Sequence, residues 1–224
     1  MNVKILRQAG PGAAPYWQTF ESDAPADASV AALLDRLNYR DDVVDVEGKP
    51  AGRIGWECSC LQGMCGACAM VINGVPALAC ETFLRDLPGD TITLEPLKKF
   101  PVIADLVVDR SVIQEDLRAA GTFIEEYAPS GPEEYARQYA VAKCLKCGLC
   151  LEICPNYSGG KIFYGAVFAN DCYLVSSRSK GEGRALRKQY RIHFADVCSK
   201  SLACADVCPM HLPTLASIAK MNRK

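Results

Sequence analysis

The chain has 224 residues, 50% apolar and 23% charged, the composition of a globular protein of one or two domains, which excludes disorder as a description of the whole. Its 25 Lys and Arg against 26 Asp and Glu leave a formal charge of -1, so there is no bulk basic field to recruit nucleic acid or an anionic membrane. No apolar run approaches the roughly 18 to 20 residues that span a bilayer, and the opening MNVKILRQ lacks the apolar core of a secretion signal, so the chain is expected neither to cross a membrane nor to be exported by that route.

The alternating VKIL from Val3 and the YWQTF stretch from Tyr16 predict strands. Val30, Leu33, Leu34 and Leu37 recur at helical spacing, with Ser29 or Asp27 as the cap. AMVIN, the Asn73-Gly74 pair and VPALAC predict a hairpin that folds Cys80 back beside Cys68, and TITLEP predicts a last strand. From Asp105 the pattern turns helical, and APSGPEE forms a turn before Pro132 opens a helix leading into Cys144. Further helices are expected over 162–175, 183–197 and 213–221. The expected class is therefore α+β, with residues 1–103 as a β-grasp-like domain and 104–224 as a helical domain.

Thirteen cysteines are the outstanding feature of the composition. An odd count without a secretion signal argues against a disulfide framework. Eleven of the thirteen fall into three tight groups, as thiolate ligands of zinc or of iron-sulfur clusters do. In CSCLQGMCGAC, Cys60, Cys65 and Cys68 are separated by four and then two residues and Cys80 follows after eleven more, which is the plant-type 2Fe-2S spacing. Gly63 and Gly66 can bring backbone N–H groups against the cluster, a need that zinc does not have. A zinc knuckle would normally show paired CxxC motifs, and this group has one. Cys58 could replace Cys60 only by stretching the loop, so it is read as a non-ligand.

CLKCGLCLEICP places Cys144, Cys147, Cys150 and Cys154 before Pro155, the bacterial ferredoxin run, and CSKSLACADVCP repeats it with Cys198, Cys204 and Cys208 before Pro209. In such pairs the last cysteine of each run ligates the cluster of the other. That rule assigns Cys144, Cys147, Cys150 and Cys208 to a 4Fe-4S cluster and leaves Cys154, Cys198 and Cys204 for the other site. Ser201 stands where a fourth thiolate would be, so a 3Fe-4S cluster of higher potential is expected there; a serine oxygen holding a fourth iron is the alternative. Cys58 and Cys172 are left over. His193 and His211 are read as surface or capping residues, since thiolates already fill the sites.

Three centres without a GxGxxG, a P-loop or a nucleophile-base pair make a conductor of single electrons with no substrate site, dependent on another subunit for organic chemistry. The order of motifs closely resembles the iron-sulfur subunit of succinate dehydrogenase and fumarate reductase. The resemblance covers nearly the whole chain: ILRQ, PYWQTF, CSCLQGMCGACAM, LACETFLRD, LEPLKKFPVIADLVVD and both terminal runs. Within the family it is more similar to the fumarate reductase branch, which shares the ACxTFLRD and FPVIxDLVVD wording.

This resemblance implies a path from a quinol through the 3Fe, 4Fe and 2Fe centres to an FAD-containing flavoprotein subunit, on the cytoplasmic side of the inner membrane. A separate membrane anchor, with or without haem, would hold the complex. The positions matching the family's quinone contacts are Pro155, Lys200 and Lys220. NYSGG after Pro155 replaces the tryptophan pair common in ubiquinone-using members, which favours menaquinone. The rival readings are the iron-sulfur subunit of a soluble flavoprotein reductase, thiol-dependent or glycolate-oxidase-like, and a zinc-bound structural or redox-sensing module.

Overall fold

In the computed structural model of the chain, residues 1–223 are described. They form two compact units that divide between Asp109 and Arg110. The first contains β1 (Asn2–Arg7), β2 (Tyr16–Glu21), α1 (Val30–Asn38), β3 (Ala69–Ile72), β4 (Val75–Leu78) and β5 (Thr91–Glu95). These strands form one mixed sheet in the order β2-β1-β5-β3-β4. Strands β1 and β5 run parallel and every other neighbour is antiparallel.

The sequence alternation fixes the register. Val3 pairs with Ile92 and Ile5 with Leu94, and all four are fully buried on one face. Val30, Leu33, Leu34 and Leu37 of α1 are fully buried as well, each burial contributing about 1.5–3 kcal/mol. Ser29 caps this helix, its Oγ accepting the Ala32 N–H at 3.2 Å. Asn73 and Gly74 turn between β3 and β4 with φ of 47° and 80°, the left-handed pair that matches hairpin twist.

The helical pattern expected from Asp105 begins later. Asp105 instead turns a short hairpin, β6 (Val102–Ala104) and β7 (Val107–Val108), and the helix starts at Ser111. The Asp105 carboxylate accepts the N–H of Gln8 at 3.0 Å and of Gly55 at 2.8 Å, which ties this hairpin to the first unit and moves the division past the expected residue 103.

The second unit is helical: α2 (Ser111–Ala119), α3 (Pro132–Ala142), α4 (Leu149–Glu152), α5 (Gly165–Arg178), α6 (Gly183–Tyr190), α7 (Ala203–Asp206) and α8 (Thr214–Asn222). Pro132 occupies the start of α3, where its missing N–H costs nothing. A wider turn over Arg191–Ala195 prolongs α6. Helix α5 is the hub: it packs against α3, α6 and α8, with Phe168, Ala169 and Cys172 fully buried. Among the described residues no helix is long and apolar enough to cross a membrane.

Candidate functional site

The first thiol group lies on an irregular loop between α1 and β3. Pairing of Ala69 with Leu78 brings the residues just outside the hairpin together, so Ala79 N–H donates to Cys68 O at 3.1 Å and the Sγ atoms of Cys68 and Cys80 lie 3.4 Å apart. Backbone donors converge on the sulfurs: Met64 N–H reaches Cys60 Sγ at 3.3 Å, Ala67 N–H reaches Cys65 Sγ at 3.4 Å, and Gly63 N–H reaches Cys80 Sγ at 3.3 Å. Gly63 has φ of 71°, which glycine adopts without strain, and a Cβ there would press on the Glu81 carboxyl at 2.9 Å, so glycine suits this close approach of backbone to thiol. The backbone N–H of Gln62, the Cys65 thiol and the Met64 N–H together lower the Cys60 thiol to about 7. Burial pushes Cys80 up to about 12 against the pull of the Gly63 N–H. Cys58 is exposed and joins none of these bonds.

The approach to this loop is held by side chains from three distant places. Arg7 Nη2 donates to Gly52 O at 3.2 Å and Arg53 O at 3.0 Å. Asn38 brackets Ile54, accepting its N–H at 2.8 Å and donating to its carbonyl at 2.9 Å. Asp105 takes the Gly55 N–H and lies 2.9 Å from Arg7 Nε, an ion pair rather than an aligned hydrogen bond. The contacts themselves are not legible in sequence, because the partners are 16 to 98 residues apart and no local spacing links them.

The two cysteine runs of the second unit adopt the same local conformation. Lys146 and Lys200, two residues after the first cysteine of each, have φ of 54° and 60°. Gly148 and Leu202, which open the short helices α4 and α7, have φ of 89° and 64°. Cys154 N–H donates to Leu151 O at 3.3 Å and Cys208 N–H to Ala205 O at 3.4 Å. In this local repeat Ser201 occupies the place of Cys147. Leucine at the left-handed position costs about 1 kcal/mol or more, which the repeat maintains without glycine.

Cys144, Cys147, Cys150, Cys204 and Cys208 line one cavity. Burial pushes the thiols of Cys144, Cys147 and Cys150 up, Cys147 to about 11, and the charge of Cys208 adds to the rise in all three. The Cys204 thiol is raised by burial and then by the charges of Cys154 and Cys198. Thiols held up in this way give up their protons to solvent when they bind a cationic metal, whose charge then offsets the cost of a buried thiolate. Among the described residues no three His, Cys, Asp or Glu side chains close in on a single metal ion.

The other sequence-derived residues are scattered. Cys172 is fully buried inside α5, which pushes its thiol up. Pro155, Lys200 and Ser201 are exposed. Lys220 lies in a cleft with Glu134, Tyr173 and Ser176, 3.5 Å from Glu134 Oε2, and neither Pro155 nor Lys200 lines that cleft. His211 is exposed, whereas His193 is half-buried: its ring stacks on Tyr164 at 4.1 Å and Nδ1 lies 3.0 Å from Ile162 O.

Comparison with known proteins fits this geometry. The 2Fe-2S iron-sulfur cluster binding domain family matches residues 2–115. The succinate dehydrogenase iron-sulfur subunit of Bacillus subtilis (strain 168) is 34% identical, over 98% of this chain and 90% of its own length. The chain belongs to the iron-sulfur subunit family of succinate dehydrogenases and fumarate reductases. The fumarate reductase iron-sulfur subunit of Escherichia coli O157:H7 is 33% identical, over 92% of this chain and 84% of its own, so both branches of the family are matched about equally. The fold agrees with a structure titled Mycobacterium smegmatis Sdh1 complex in the apo form, with a TM-score of 0.79 at 21% identity, covering 98% of this chain and 92% of that one. Arg7 and Asp105 stand within the shared stretches ILRQ and FPVIADLVVD, but the clamp they form with Asn38 is seen only in the folded chain.

Proposed function

We propose that this chain is the electron-transfer subunit of a quinol:fumarate reductase or succinate dehydrogenase complex. Its first unit is read as a β-grasp ferredoxin domain holding a 2Fe-2S cluster on Cys60, Cys65, Cys68 and Cys80. The second is read as a bacterial-ferredoxin-like domain holding a 4Fe-4S cluster on Cys144, Cys147, Cys150 and Cys208 and a 3Fe-4S cluster on Cys154, Cys198 and Cys204. The observation that carries the reading is the local repeat of the two runs together with the Ser201 replacement, which supports one complete and one three-thiolate site.

When bound, the clusters accept and release single electrons, which would connect a quinone to FAD on a partner flavoprotein. The residues of this chain supply the surroundings. Cys68 and Cys80 stand about as far apart as two thiolates on one tetrahedral iron, roughly 3.7 Å for 2.3 Å bonds. The Gly63, Met64 and Ala67 N–H groups stabilise thiolate charge. The exposed 199–202 loop and Pro155 favour that end as the face turned to the quinone, menaquinone rather than ubiquinone, in a membrane anchor at the cytoplasmic side of the inner membrane. Lys220 would join Pro155 and Lys200 there only by leaving Glu134.

The test is paramagnetic resonance on the complex purified anaerobically. A 3Fe spectrum in the oxidised state and 2Fe and 4Fe spectra on reduction are expected, and Ser201→Cys should replace the 3Fe spectrum with a second 4Fe one of lower potential. Zinc without iron or sulfide, or a wild-type protein with no 3Fe spectrum, would overturn the reading.

A further inference from the structure

Helix α5 carries a polar side chain on a face that is otherwise apolar. Asn170 is 2% exposed among Val167, Phe168 and Ala169, and Thr214, at the start of α8, is 3% exposed. Both line the cavity of Cys144, Cys147, Cys150 and Cys208. Their side chains bond each other, Asn170 Nδ2 and Thr214 Oγ1 being 3.0 Å apart, while the second polar atom of the amide has no partner. A carboxamide buried with one end unsatisfied is costly, so the question is what the cavity offers that end.

The answer follows from the chemistry of the walls. The nitrogen and oxygen of an amide are told apart only by the network around them. The Thr214 hydroxyl can donate as well as accept. With the amide oxygen taking the Thr214 O–H, the free end becomes an NH2 donor, and the cavity it lines is rich in sulfur, which only accepts. With the opposite assignment the Thr214 hydroxyl proton is also left to donate. In either arrangement the pair has two protons to give, both amide hydrogens in the first and one amide hydrogen and the hydroxyl proton in the second.

We infer that Asn170 and Thr214 form a buried donor pair that hydrogen-bonds a sulfur of the cluster seated in this cavity and so raises its reduction potential. This rests on the assignment of a four-iron cluster to these thiolates. A donor to cluster sulfur favours the more negative, reduced state. The effect is selective, because the pair faces this cavity and takes no part in the loop of Cys60. Asn170 and Thr214 are positioning residues; neither ligates iron.

The experiment is a redox titration of the assembled complex followed by paramagnetic resonance, with the 2Fe centre as internal reference. Asn170→Leu should make the four-iron centre about tenfold harder to reduce at fixed potential, a shift of about 59 mV to the negative for one electron, with the 2Fe midpoint unmoved. Thr214→Val should shift the same centre in the same direction, and Thr214→Ser should restore the wild-type midpoint. A four-iron midpoint unchanged in Asn170→Leu overturns the inference. Should that variant fail to assemble, an unchanged midpoint in Thr214→Val, or equal shifts in Thr214→Val and Thr214→Ser, overturns it instead. A wild-type complex with no four-iron spectrum at all would remove the cluster assignment itself, an outcome distinct from these.

Discussion

Thiols in the first unit are met by backbone N–H groups: they lower Cys60 to about 7, and one reaches Cys80 even though burial there raises the thiol to about 12. Thiols in the second are half-buried and crowd one another, so that desolvation and the charges of Cys144 and Cys208 raise Cys147 to about 11. The frameworks differ in the same sense. The loop of Cys60 hangs from a five-stranded sheet with its own apolar core, whereas Cys150 and Cys204 lie in helices of four residues that have too few internal bonds to stand alone. One unit presents a finished loop to its metal; the other depends on the metal to hold short pieces together.

Removing iron and sulfide therefore produces the largest effect and the sharpest contrast. After mild chelation, amides of Leu149–Glu152 and Ala203–Asp206 should exchange at rates close to those of unfolded peptide, while those of β1 and β5 keep their protection. Hydrogen exchange read residue by residue measures this. Equal loss of protection in both units would contradict the difference drawn here.

The next effect tests the scaffold of the first unit. Asp105→Ala leaves Arg7, whose side chain is 6% exposed, without its counter-charge and frees the Gly55 N–H. A buried charge stripped of its partner costs about 3–5 kcal/mol. Thermal unfolding of the first unit should fall accordingly, and the 2Fe spectrum should broaden as the 52–55 segment loosens. The double replacement Arg7→Met with Asp105→Leu should recover much of the stability, since no charge remains buried. A double variant as unstable as the single one would mean that the bonds to Gly52 and Arg53, not the charge, carry the clamp.

How far these features can be read from sequence follows the same division. Cysteine spacing gave the three groups because ligation imposes short fixed intervals, and Asn73-Gly74 together with strand alternation gave the return of Cys80 to Cys68. Ser201 could be placed opposite Cys147 by counting alone. What escaped was tertiary. Asp105 lies in a stretch whose periodicity suits a helix, yet its bonds to Gln8 and Gly55 turn it into a hairpin, and no local pattern encodes partners 97 and 50 residues away. Asn170 likewise looks like any polar residue in a helix until the cavity beside it is seen.

The smallest effect concerns a second buried carboxylate, in the other unit. Asp105 has an arginine; Asp116, 8% exposed in α2, has the Lys161 N–H at 3.3 Å and no lysine or arginine in an ion pair with it among the described residues. Burial raises its pKa, with the Lys161 N–H and the charge of His193 pulling the other way. The folded chain thus holds this proton to higher pH than the unfolded chain, whose carboxyl titrates near 3.8. Its contribution is most favourable below that value and declines as pH rises through the raised folded one. An asparagine side chain in its place would carry no charge at any pH, so Asp116→Asn should stabilise the second unit at pH 7, on the order of 2 °C in melting temperature for a change of about 1 kcal/mol, and the gain should vanish toward about pH 3.5. Melting curves of the two proteins across that range decide the matter: a gain that persists in acid would show that packing around the carboxyl, rather than its charge, separates the two buried aspartates.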